Sequence, residues 1–99
     1  MNVRFRAKAL DDIASIHRFR SREHSEEVAG RAEAAIFATT KMLARHPEFG
    51  AATDHHGVRR WPLTEYDYAI FYLIDWHEDA LDVLRVVDGR YVRNRRRVP

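Results

Sequence analysis

At 99 residues the chain has room for one compact domain, residues 1–99, which excludes a two-domain enzyme with a large cofactor cleft. It has no cysteine, so disulfides, thiolate catalysis and cysteine-ligated metal centres are excluded, and no apolar run is long enough for a membrane span or a signal-peptide core. Lys+Arg total 17 against 15 Asp+Glu, and the basic excess gathers at the end, where Arg90, Arg93, Arg95, Arg96 and Arg97 follow with no acid among them.

These counts predict a soluble, cytoplasmic protein whose C-terminal end attracts phosphate or an acidic peptide, with a flexible basic tail from about residue 93 to residue 99. The elements follow in chain order. Val3-Arg4-Phe5-Arg6-Ala7-Lys8 alternates apolar and basic residues, the pattern of a half-buried strand. From Ala9 to about Arg22, Leu10, Ile13, Ile16 and His17 recur at helical spacing, with Asp11 and Asp12 in the expected first turn. Ser25 then reads as the N-cap of a second helix with Glu26 and Glu27 in its first turn. Its apolar stripe runs through Val28, Ala32, Ala35, Ile36, Thr39, Met42 and Leu43 to a stop at His46-Pro47, because proline disfavours helical geometry in the residue before it.

The second half changes period. Glu48 to Gly57 is turn-rich, and Val58 to Leu63 is a short strand limited by Pro62, which has no N–H to donate. Tyr66 to Ile74 is apolar on both faces and therefore sits mid-sheet, with Tyr68, Ile70, Tyr72 and Ile74 on one face and Ala69, Phe71 and Leu73 on the other. A polar turn at Asp75 to Asp79 leads into Leu81 to Val87, where strict alternation puts Arg85 on the face of Val83 and Val87, and Asp88-Gly89 ends the strand. The order β-α-α-β-β-β describes an α+β domain, a helical hairpin packed on a small, mainly antiparallel sheet.

Three motifs, His46-Pro47-Glu48-Phe49-Gly50, Gly57-Val58-Arg59-Arg60 and Arg85-Val86-Val87-Asp88-Gly89-Arg90, together with the strand Tyr68-Ala69-Ile70-Phe71-Tyr72, resemble the RelE/ParE superfamily of toxins from type II toxin–antitoxin systems. The resemblance covers about Val3 to Arg90 and implies the RelE-like fold and a cognate antitoxin that silences the toxin. RelE-like members cleave mRNA on the ribosome; ParE-like members are described as poisoning DNA gyrase. Where the RelE-like pattern has arginine after the first tyrosine of the central strand, this chain has Ala69, and the preceding strand carries Arg59 and Arg60 in place of lysines. Arginine holds phosphate but is no base near neutral pH. The chain is therefore similar to the ParE-like branch, from which it departs at Asp88 and Tyr91.

The resemblance implies a bacterial stress-response toxin that inhibits gyrase, needs no cofactor, and pairs with a ParD-like antitoxin bearing an acidic C-terminal segment, in a hetero-oligomer away from membranes. Target or phosphate contacts are expected at Arg60, Arg90 and Arg93, and antitoxin contacts at Arg59, Arg60 and Arg85. No catalytic residues are expected; the alternative, an mRNA endonuclease, would use Arg60, Arg85, Arg90 and Tyr91. A third reading is an inactive member that only binds its antitoxin. Asp54-His55-His56 reads as a surface loop without a metal, His17 as a half-buried packing residue, and Trp61, Trp76, Tyr66 and Tyr91 as packing aromatics more than as base-stacking ones.

Overall fold

The computed structural model describes residues 1–92 and 98–99, with the side chains of Tyr91 and Val92 excepted. Strand β1 (Asn2–Phe5) leads into helix α1 (Ala7–Glu23) and helix α2 (Glu26–Arg45). Strands β2 (Ala51–Ala52), β3 (Val58–Leu63), β4 (Tyr68–Asp75) and β5 (Ala80–Asp88) follow, and a single turn, α3 (Gly89–Val92), comes after them.

The helical hairpin forms where capping chemistry asks for it. The Ser25 hydroxyl accepts the Val28 N–H at 3.1 Å, and α2 stops at Arg45, one residue before His46-Pro47. Helix α1 begins earlier than its apolar spacing suggests, at Ala7, so Asp11 and Asp12 fall outside the first turn. The buried side of α1 correspondingly runs through Ala9 and Ile13, and Leu10 is 51% exposed.

The sheet has five strands in the order β1-β5-β4-β3-β2. Its three hairpin-linked neighbours pair antiparallel, whereas β1 pairs parallel with β5, from Asn2 beside Ala80 to Phe5 beside Val83. The fold is thus α+β with a mixed sheet. β2 lies inside the stretch expected to be all turn, because two alanines carry no period to read. Tyr66 and Asp67 belong to the β3–β4 turn, and β4 starts at Tyr68.

Both faces of β4 are covered, as its apolar pattern requires. On the helix side Ile13, Ile36, Leu43, Tyr68, Ile70, Tyr72, Leu81, Val83 and Val86 form the main core. On the other side Val58, Ala69 and Phe71 form a second cluster, packed by Leu84, Val87 and Val98. The two clusters reveal a break in alternation. Phe71 faces Arg85 while Tyr72 faces Val83, so Leu84 is an extra, unpaired residue, a β-bulge. Val83 and Val87 consequently lie in opposite cores, and Arg85 does not share one face with both.

Candidate functional site

The face of the sheet without helices is the natural place to look for the predicted cations, because β3 and β5 both present arginines near it. The Arg85 guanidinium forms a two-point ion pair with Asp12 of α1, Nε to Oδ2 at 2.8 Å and Nη2 to Oδ1 at 3.0 Å. The same carboxylate accepts the Val86 N–H at 2.9 Å. The β1–β5 pairing ends at Val83, past which no strand lies on that side of β5 among the described residues, and Asp12 satisfies the backbone donor that this edge leaves open. Arg85 is thereby fixed as a structural cation.

Arg59 is engaged differently. Its Nη1 donates to the carbonyls of Gly50 at 2.8 Å and Glu48 at 3.3 Å. Beside it the Tyr72 hydroxyl accepts the Gly50 N–H at 2.8 Å and donates to the Pro47 carbonyl at 2.7 Å. Burial pushes the Tyr72 hydroxyl pKa up, which keeps it a donor. A Cβ at Gly50 would stand 2.5 Å from the Tyr72 oxygen, so only glycine lets the loop close on the tyrosine. The His46-to-Gly50 motif, Arg59 and the second tyrosine of the central strand are three parts of one clasp.

Arg90 folds back on Asp88, with Nη2 to Oδ2 at 2.8 Å and Nε to Oδ1 at 3.1 Å, and its pKa is raised chiefly by that hydrogen bond. Arg60 is the exception. It has no hydrogen bond or ion pair among the described residues, is half-buried opposite Phe71, and lines two small cavities of about 250 and 130 Å³ beside Pro62, Tyr68 and Ala69 and beside Ala51 and Phe71. Of the predicted site residues the structure therefore leaves Arg60 unpartnered, ties Arg59, Arg85 and Arg90, and places Arg93 and the Tyr91 side chain outside the described residues, as it does Arg95, Arg96 and Arg97. Val98 and Pro99 are described: Val98 packs on the second cluster and donates its N–H to Asp54 at 3.1 Å.

The aromatic residues divide. Tyr66 lies under the Arg20 guanidinium, 5.0 Å from its carbon, and Trp61 joins the main core and stacks on Phe49 at 6.0 Å. Trp76, in the β4–β5 turn, is 65% exposed. His55 and His56 are exposed, and among the described residues no three His, Asp or Glu side chains converge on a metal-sized site. His17 is half-buried and sits between two carboxylates, Nδ1 at 3.0 Å from Glu33 and Nε2 at 3.2 Å from Glu26.

The family model for the ParE toxin of the type II toxin–antitoxin system, parDE, matches residues 3–92. The chain belongs to the ParE toxin family. Among solved structures this ParE-family toxin is similar to the chromosomal ParDE toxin–antitoxin system from P. aeruginosa, with TM-score 0.78, 20% identity, and 89% of this chain and 95% of that one covered. It is also similar to the intact E. coli RelBE toxin–antitoxin complex, with TM-score 0.62, 12% identity, and 88% and 94% covered. The isolated E. coli RelE toxin matches with TM-score 0.61, 13% identity, and 89% and 83% covered. Identities this low establish a shared fold. No curated protein matches the chain in sequence.

Sequence reasoning missed two features of this ParE-family toxin. Asp12 read as a helix-start acid, whereas it reaches across to Arg85 and the Val86 N–H of β5. Arg4 and Arg6 share the buried Asp82, at 2.7 and 2.8 Å, a pairing between chain ends that no local spacing announces.

Proposed function

We propose that this toxin works by binding: it inhibits DNA gyrase and is neutralised in the cytoplasm by a ParD-like antitoxin with an acidic C-terminal segment, the product of a neighbouring gene. The observation that carries this reading is the fate of the arginines. Cleaving RNA through its 2′-oxygen requires a proton acceptor and free cations around the phosphorane. Here Arg85 is held by Asp12 and Arg90 by Asp88, so two cations of the nuclease alternative are neutralised within the chain. Arg60 remains available to contact the target or an acidic segment of the antitoxin, on a face with an apolar floor. The ParE family match and the toxin–antitoxin complexes among its structural relatives support the same assignment.

The test is incubation of purified toxin with gyrase, ATP and supercoiled plasmid. Trapped, cleaved plasmid is expected, with Arg60→Glu lowering trapping by about tenfold, the size of a lost charge contact. Site-specific mRNA cuts on translating ribosomes, or harmless growth on induction, would reject the reading.

A further inference from the structure

Val98 and Pro99 lie on the sheet face that the helices leave open. Val98, with Leu84 and Val87, packs on the buried trio Val58, Ala69 and Phe71. Its N–H donates to Asp54 Oδ1 at 3.1 Å, in the turn that precedes β3. Pro99 lines a cavity of about 400 Å³ beside β5, with Arg85, Val87 and Asp88.

Arg60 belongs to the same face. It sits opposite Phe71 in the β3–β4 ladder and two residues along β3 from Val58, and side chains two apart on a strand point to one side. Its guanidinium, which has no ion pair among the described residues, therefore edges the apolar floor that Val98 covers. An apolar floor with an arginine at its rim has the composition of a protein-contact centre, where such arginines carry a large share of the binding energy. The cover over this floor is weakly held. One half-buried valine and one hydrogen bond to an exposed aspartate oppose the ordering entropy of the residues that make them, whereas Val58, Ala69 and Phe71 are fixed by the backbone ladders of β3 and β4.

We infer that Val98 and Pro99 are an autoinhibitory cover: in the unbound toxin they occupy the apolar floor beside Arg60, and contact with the target displaces them. Val98 is the plug, and the Asp54 carboxylate is its latch. A target that needs the bare floor binds with its intrinsic affinity reduced by the fraction of molecules uncovered, so an uncovered fraction of about one fifth holds the apparent affinity about fivefold down. This role rests on the target-contact reading of Arg60, and it adds an attenuation set by residues that make no direct charge contact with the target.

The first probe is anilinonaphthalene sulfonate, whose apolar rings and single anionic group suit the floor and Arg60, added to the full-length toxin alone. Val98→Ser/Asp54→Ala, which weakens the plug and removes the latch, should raise dye fluorescence about fivefold while near-ultraviolet circular dichroism stays as in the wild type. Asp54→Ala alone leaves every apolar contact in place and should give a smaller gain of the same kind. Adding Arg60→Gln should return most of the gain. Dye binding unchanged in both variants, or a gain indifferent to Arg60, overturns the cover. The second probe is gyrase with ATP and supercoiled plasmid, where the toxin concentration for half-maximal trapping should fall about fivefold in the double variant. If the wild type traps gyrase and the double variant traps it no better, the cover is refuted and the gyrase reading stands. If neither traps gyrase, the gyrase reading falls, and the dye still decides whether Val98 and Asp54 close the floor beside Arg60.

Discussion

Asp12 illustrates how much one carboxylate can hold. It neutralises Arg85 and satisfies the Val86 N–H from a position with 15% side-chain exposure. Asp12→Ala strands both, and the partial exposure of Arg85 tempers the cost to about 2–3 kcal/mol. Urea unfolding should show the lower midpoint with an unchanged m-value. Gly50 is the second sensitive residue. Gly50→Ala places a methyl group 2.5 Å from the Tyr72 oxygen, against a ring that is fully buried and cannot retreat. A loss of about 2–3 kcal/mol follows from overpacking together with the strained hydroxyl bonds, and thermal melts would register it.

At the scale of elements, the α1–α2 hairpin carries a protonation-dependent tie. A neutral imidazole has one N–H and can donate to only one of Glu26 and Glu33, whereas the imidazolium of His17 donates to both. The His17 pKa is raised above 6.5, first by Glu26 and then by Glu33. A raised folded-state pKa means that this stabilisation is complete below the unfolded value and is lost as pH climbs through the folded value. The melting temperature should therefore fall as pH is raised above 6.5 through that midpoint, and His17→Gln should abolish that step. Asp82 behaves in the opposite sense. Arg4 first, then Arg6, lowers its pKa below 3.8, so its contribution persists above that value and disappears as acid protonates it. Asp82→Asn should remove this part of the acid transition, read by circular dichroism across the low-pH range. The ends of α2 were legible because Ser25 and His46-Pro47 are local chemistry, and β4 was legible because its residues are apolar on both faces. The face of Arg85 was not, since nothing in Val83 to Val87 marks Leu84 as a bulge. Nor was the clasp: the sequence shows the motifs of Gly50, Arg59 and Tyr72, but only the loop's return onto β3 and β4 shows that they are one device.

The whole molecule pairs its first strand with its last. Among the described residues β1 pairs with β5 alone, and Arg4 finds Asp82 across 78 positions of sequence. During synthesis β1, with its arginine and phenylalanine, must wait as an unfinished margin until β5 has been made. The order of folding follows from that pairing: a product lacking β5 has nothing to seat β1 against, so the five-strand sheet closes as a unit only when the segment from Ala80 to Asp88 has arrived.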